Sequence, residues 1–511
     1  MLIGLDYGTT TSLAISWRDG TLYEESRLLS SVYIDKHNKC LTNEDAYKHI
    51  TSREGLYVHS PKSLLGENEL FSDISSKIKI APQDLITSTL TSIFKSFRLE
   101  NDEDIIITLT VPNAWKDKQY IIMRDCVFKA AELVFGVRFD KQKFTIIPEP
   151  VAAALYYVIN KNIYGDVDKN YVVICDVGGG TSDLAVVKCE KYKEKDGIDL
   201  SFDVVCPMAG TPGLGGDNFD KVLLKDLLPD VIPEGVSDYI LWKTVKILKA
   251  KLSVQANASI PIIKMDDTPL IDKHGHPVIL SCSRARFESL IREHLDTLRE
   301  MLEQLKQDLL EYDSSCDLSK VILLPVGGSC RIPAVRQILF DVFRGELIDL
   351  KGEKEEAYDS IASGAAYYSA WLSNGINGYR DIEIQHRLPH RIAVQYGENA
   401  LETWVEKNSP DGTYCPKSLY PIRMNKDGNT FKIGKIKLFQ GDGEYVKIGK
   451  NEFLTEIEIK EDIYSHGREL NDIPVKLEVT IKSSRIEKVT LSVEQGNYNR
   501  NNFYFEQIIS F

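Results

Sequence analysis

The chain has 511 residues, 43% of them apolar, and a formal net charge of −13. That length predicts two to four domains with ample core, and the acidic balance excludes nucleic acid and an anionic membrane as natural partner surfaces. Nine cysteines, odd in number and without a CxxC pair, argue for a reducing, cytoplasmic setting and against a disulfide framework or a cysteine metal site.

The chain opens MLIGLDYGTTTSLAI. Met1 leads straight into a strand, so no signal peptide is expected, and no apolar run nears the roughly 18 residues of a membrane span. The apolar run Leu2–Leu5 enters Asp6. Gly8 and the hydroxyls of Thr9, Thr10, Thr11 and Ser12 follow, and a second apolar run starts at Leu13. This is strand, aspartate, glycine-bearing turn, hydroxyls, strand. Lys62, in SPKSLLG, reads from spacing alone as a solvated surface lysine. Ile105–Pro112 reads as a buried strand, with Pro112 before a helix over Lys116–Phe135. In IIPEPVAAALYY, Glu149 stands at a strand-to-helix junction, where the helix dipole alone favours an acid. Ala152, Ala153 and Ala154 let that helix lie close to a neighbour.

Val172–Val187, VVICDVGGGTSDLAVV, repeats the opening pattern. Gly178, Gly179 and Gly180 leave amides uncovered and permit positive φ, so the turn can curl round a phosphate. Asp176 and Asp183 sit at its rim, where a hydrated divalent cation can bridge carboxylate and phosphate. One such turn reads equally well as a plain hairpin with polar decoration. Two facing turns would supply donors from both sides of a polyphosphate, and two aspartates, Asp6 and Asp176, to one Mg²⁺. GTPGLGGDNFD places Gly215, Gly216 and Asp217 before a helix, and KILKAKLS lies on a helix leading to a strand at Ala258–Ile263. Arg284–Leu310 is amphipathic. Its stripe of Phe287, Ile291, Leu295, Leu298, Leu302 and Leu305 is a core face. A third turn, VILLPVGGSCRIP, sets Gly327, Gly328 and Ser329 after a strand and before a helix from Pro333, so its amides can close over a ribose and base. Another helix spans Tyr358–Trp371 and breaks at SNGING. From about residue 387 the texture changes to period-2 strands at Phe431–Leu438, Tyr445–Ile448, Phe453–Ile459, Val475–Ile481 and Val489–Val493, an antiparallel β-sandwich pattern.

Three glycine turns in this order resemble the heat-shock 70 kDa, DnaK-type, chaperone family. Its ATPase belongs to the actin and sugar-kinase superfamily. The likeness runs from residue 1 to about 372 with specific motifs and more faintly to about 496. It implies an α/β chain. A two-lobed actin-like (ribonuclease H-like) ATPase domain would occupy 1–378, a linker 379–386, and an antiparallel β-sandwich without a helical lid 387–511. It further implies ATP or ADP with Mg²⁺. Asp6 and Asp176 would hold the hydrated cation and Glu149 its water shell. Lys62, in the family's K-x-L-x-G setting, would orient the attacking water with Thr181. Asp183 would hold a monovalent cation such as K⁺ or accept a proton. Gly8, Thr9, Thr10, Thr11, Gly178, Gly179, Gly180 and Thr181 would cradle phosphates. Gly215, Gly216 and Asp217 would lie near ribose and phosphates, Lys249 and Ser253 would cup the adenosine, and Gly327, Gly328, Ser329 and Arg331 would close the pocket. Pro112 resembles a switch proline.

The departures weaken parts of this. Tyr120 replaces an arginine that helps couple the domains, and Tyr358 replaces a usual aspartate. Pro148 and Val151 break the motif around Glu149. Lys246 replaces a glutamate and Ala250 the adenine-stacking arginine. The linker's leucine patch becomes Asp381-Ile382-Glu383-Ile384, so docking should be weaker. The expected function is a slow ATPase coupled to extended or unfolded peptide, with a J-domain co-chaperone and a nucleotide-exchange factor as candidate partners. Gln440-Gly441-Asp442 resembles the turn that opens the family's peptide domain; a β-domain without a peptide groove would have the same strand texture. A small-molecule kinase of the same superfold and a non-hydrolysing ATP sensor or scaffold are the alternatives. Against the kinase, no aspartate is placed as a substrate-hydroxyl base between the second phosphate turn and the Gly215 turn.

Overall fold

The computed structural model describes residues 1–37, 39–50, 54–65, 71–72, 79–99, 104–113, 115–160, 170–194, 197–228, 236–348, 356–373, 375–376, 378–385, 387–388, 390–396, 400–407, 409–414, 422–424, 430–433, 435–441, 451–457, 463–464, 475–482, 485–494 and 503–510. The chain divides into two compact units, residues 1–113 with 118–383, and residues 114–117 with 384–511.

The first unit is built on two sheets that repeat one motif. In the five-stranded sheet, Leu2–Asp6 pairs antiparallel with Thr11–Arg18 and parallel with Ile105–Val111. Thr21–Leu29 and Phe139–Pro148 flank them. In the six-stranded sheet, Asn170–Val177 pairs antiparallel with Thr181–Glu194 and parallel with Ile322–Val326. Gly197–Pro212, Glu346–Leu347 and Tyr379–Gln385 complete it, the last beside Gly197–Pro212. Central strands covered on both faces need continuous apolar runs. Ile3, Gly4 and Leu5, and Val172, Val173 and Ile174, are buried without alternation.

Small residues let one helix close over the first sheet and a second helix close on the first. A Cβ on Gly4 would overlap the Ala362 carbonyl of the Glu356–Leu372 helix, and one on Gly364 would overlap Ala152 of the Glu149–Asn160 helix. Ser369 Oγ donates to the Ile3 carbonyl at 2.8 Å and lies 2.7 Å from Thr108 Oγ1, which satisfies the buried hydroxyls at this junction. The expected long helix from Arg284 is two, Arg284–Leu290 and Arg292–Tyr312, broken at Ile291. Its stripe is core as expected, with Phe287, Ile291, Leu295, Leu298, Leu302 and Leu305 all buried.

Every described element of the second unit from Ile392 onward is a strand. Two four-stranded antiparallel sheets share one core. Ile392, Val394, Trp404, Ile436 and Leu438 come from one, and Val479, Ile481, Ile486 and Val489 from the other. The expected run at Phe431–Leu438 is two strands, Thr430–Ile433 and Ile436–Gly441. Asp442 and the strand expected at Tyr445–Ile448 lie outside the described residues. Among the described residues no helix is long and apolar enough to cross a membrane.

Candidate active site

A carboxylate cluster stands where the two repeated strands end. Asp6 closes the Leu2–Asp6 strand beside Thr110, whose hydroxyl is 3.4 Å from Asp6 Oδ1. Asp176 and Asp183 face each other across the second hairpin. Glu149, buried, opens its helix. Lys62 is buried in the 3₁₀ turn Pro61–Leu64, and its Nζ lies 2.9 Å from Glu149 Oε1. It is not the solvated lysine that spacing alone suggested.

The charges explain one another. Burial and then Glu149 push the Asp6 carboxyl up to about 7, against the pull of Lys62 and Thr110. Burial and Glu149 likewise raise Asp183 to about 7, opposed by Lys62 and by the Thr181 hydroxyl 3.4 Å from Asp183 Oδ2. Asp176 is driven well above the usual range by burial, Glu149 and Asp183, and also feels Asp6. For Lys62 burial opposes the charge, but Glu149, Asp6 and Asp183 outweigh it and hold the ammonium. Four acids around one base leave an excess of negative charge in a sheltered place. An all-oxygen set of this kind suits a hard dication such as Mg²⁺. Among the described residues no three ligating groups converge on a single metal position.

Above the cluster the glycine turns interlock. The Gly178 amide donates to the Thr181 carbonyl at 3.0 Å and closes the second turn. Gly216 and Asp217 donate their amides to the carbonyls of Gly178 and Gly179 at 2.9 and 2.8 Å, and Ser329 Oγ donates to the Gly178 carbonyl at 3.1 Å. A Cβ on Gly179 would overlap Thr10 Oγ1, and one on Gly180 would come within 2.6 Å of Thr9 Cγ2. Only glycine lets these turns approach. Gly327, at φ +80°, turns the backbone where a Cβ would also strike Asp176.

Asp217 joins the first turn to the second. Its Oδ2 accepts from Thr10 Oγ1 at 2.8 Å and lies 2.9 Å from His59 Nε2, and its Oδ1 is 3.3 Å from Lys246 Nζ. Burial works against its charge, yet His59, Lys246 and Thr10 hold the carboxyl far below the usual range. Behind it, Lys249 Nζ is 2.9 Å from Asp220 Oδ2 and donates to the Gly216 carbonyl at 2.7 Å.

The Hsp70 protein family model matches residues 79–500. The chain belongs to this family. Hsp70 proteins are ATP-binding chaperones with an actin-like ATPase that uses ATP, ADP and Mg²⁺, and they act on peptide with co-chaperones. The match begins beyond the first glycine turn and Lys62, so their place in the site rests on the geometry above.

The structure of this Hsp70 chain brings together most of the residues expected at a nucleotide site. Asp6, Asp176, Asp183, Glu149, Lys62 and Thr181 form the cluster; Thr9, Thr10, Gly178, Gly179, Gly180, Gly215, Gly216 and Asp217 form the interlocked turns. Gly8 stands at the first turn, its carbonyl accepting from Ser30 Oγ at 2.8 Å, and Thr11 is exposed where the next strand starts. Ser329 is joined to Gly178, with Gly328 beside it. Ser253 Oγ donates to the Lys249 carbonyl at 3.2 Å within its own helix, Lys249 is held by Asp220, and Arg331 is exposed. Sequence reasoning missed His59, Tyr57 and Tyr47. The one available signal was a histidine three residues before Lys62, and nothing local says that it meets residue 217. Tyr120, the departure near Pro112, is buried.

Proposed function

We propose that this chain is a slow, DnaK-type ATPase that couples ATP hydrolysis to the binding of extended peptide segments in the cytoplasm. The observation that carries the catalytic part is the Lys62–Glu149 pair set among Asp6, Asp176 and Asp183 beneath the paired turns. Phosphoryl transfer to water needs positioning and charge neutralisation more than covalent chemistry. The amides and hydroxyls of Thr9 to Thr11 and Gly178 to Thr181 would hold the phosphates from both sides. The Lys62 ammonium, fixed by Glu149, would orient the attacking water together with the Thr181 hydroxyl. Asp183, with a carboxyl near neutrality, can take that water's proton, or hold K⁺ when ionised. Mg²⁺ bound through water to Asp6, Asp176 and Glu149 would neutralise the developing phosphate charge. Asp183 is shared between these two roles, so no dedicated general base is assigned and turnover should be slow. The strands of the second unit, packed on one core, support a β-sandwich, which in this reading would bind the peptide.

The test is single-turnover hydrolysis of labelled ATP by the full chain, with and without an extended apolar peptide. Lys62→Ala should slow phosphate release by about 10²–10³, and peptide should accelerate the parent chain. Transfer of label to a small-molecule acceptor would favour a kinase. Binding without phosphate release above the Lys62→Ala level would favour an ATP sensor. Release without peptide stimulation would leave an ATPase and remove the coupling.

A further inference from the structure

Tyr239, Lys243 and Lys246 recur at four- and three-residue spacing on the Asp238–Val254 helix, which places them on one face. All three reach the short Asn43–Tyr47 helix, through Glu44 or Tyr47. Tyr239 donates its hydroxyl to Glu44 Oε1 at 2.6 Å and packs edge-on against Tyr47 with ring centres 5.4 Å apart. Lys243 Nζ is 3.2 Å from Glu44 Oε1. Lys246 Nζ stands 5.2 Å from the Tyr47 ring centre and 3.3 Å from Asp217 Oδ1. Beside them a hydrogen-bond chain runs from Tyr57 OH, 3.1 Å from His59 Nδ1, through His59 Nε2 and Asp217 Oδ2 to Thr10 Oγ1.

We propose that His59 and Lys246 are positioning residues for the nucleotide site. Through Asp217 they hold Thr10 of the first turn against Gly179 of the second, and so set how long a nucleotide stays bound. If Tyr57 donates to His59 Nδ1, the imidazole proton lies on Nε2 and points at Asp217. Asp217 then receives Thr10 and His59 on one oxygen and Lys246 on the other, while its own amide bonds the Gly179 carbonyl. One carboxylate thus ties both phosphate turns to His59 and to the Asp238–Val254 helix. Any opening wide enough to pass a nucleotide between the turns must break at least part of this tie. Lys246 stands where a glutamate would be usual, and this partnership gives the lysine a use at that position.

The proposal rests on the turns being a nucleotide site, so the test has two arms. In the first, release of a fluorescent ADP analogue from the full chain is followed after addition of excess ADP. His59→Ala and Lys246→Met should each speed release by about tenfold, the size expected for loss of one charge-assisted hydrogen bond. His59→Gln, whose amide can still donate to Asp217, should stay near the parent rate. In the second, amide hydrogen exchange is measured on the nucleotide-free chain. Gly216 and Asp217 should exchange faster in His59→Ala and Lys246→Met, while the Arg292–Tyr312 helix is unchanged. Exchange at Gly216 and Asp217 equal to the parent's in both variants would overturn the proposal, as would His59→Gln behaving like His59→Ala. If the parent chain binds no analogue but the variants still loosen Gly216 and Asp217, the tie stands and the nucleotide assignment falls.

Discussion

At the scale of single residues, the site is governed by burial of like charges. Asp6 and Asp183 hold their protons to about pH 7 in the folded chain, against an ordinary value of 3.8. The folded chain therefore binds more protons than the unfolded one between those values, and stability falls as pH rises through that window. The nucleotide-free protein should show a thermal midpoint that drops between pH 5 and pH 8. Asp183→Asn, which cannot ionise, should flatten that slope, and addition of Mg²⁺ with ADP should restore most of the midpoint at pH 8. A midpoint that rose across the same range, in parent and variant alike, would show that the cluster's charges are already neutralised in another way. The sequence made the acids visible through their place before and after glycines. It could not show that Lys62 would be buried among them, because a lysine in SPKSLLG carries no local mark of its tertiary surroundings.

Secondary-structure elements meet here through residues too small to be noticed singly. Gly364 illustrates the competition. In an isolated helix alanine is favoured over glycine by about 1 kcal/mol. In this helix a Cβ at Gly364 would overlap the backbone carbonyl of Ala152, which has no rotamer to escape by. Overpacking of that kind costs about 1–3 kcal/mol, and backbone against backbone lies at the upper end. Gly364→Ala should therefore destabilise by about 2 kcal/mol net in urea unfolding, whereas Gly20→Ala, with open space at φ +82°, should act through backbone strain alone and cost about 1 kcal/mol. The strands and glycine turns were legible in order because each has its own local pattern. The break of the long helix at Ile291 was not. The apolar stripe runs through it unchanged, and Ile291 itself is core. Nor was the face that carries Tyr239, Lys243 and Lys246, since residue 246 reads as a departure until Asp217 and Tyr47 stand opposite.

For the molecule as a whole, two units with separate cores make a thermodynamic experiment informative about coupling. The first unit holds the glycine turns and carboxylates, and the second holds strands packed on Leu388, Ile392, Val394 and their neighbours. A ligand stabilises only the unit it binds, by RT ln(1 + [L]/Kd), about 2.7 kcal/mol at a hundredfold excess over Kd. Calorimetry of the full chain should then show two transitions, with ATP and Mg²⁺ raising one and an extended apolar peptide raising the other. Coupling adds a further requirement. If ATP changes the affinity for peptide by some factor, peptide must change the affinity for ATP by the same factor. With both ligands present, the two shifts should differ from the sum of the separate ones, with the same sign whichever ligand is added first. Strictly additive shifts would mean that nucleotide and peptide act on units that do not communicate, and the chain would be an ATPase joined to a binding domain without the exchange of free energy that defines a chaperone cycle.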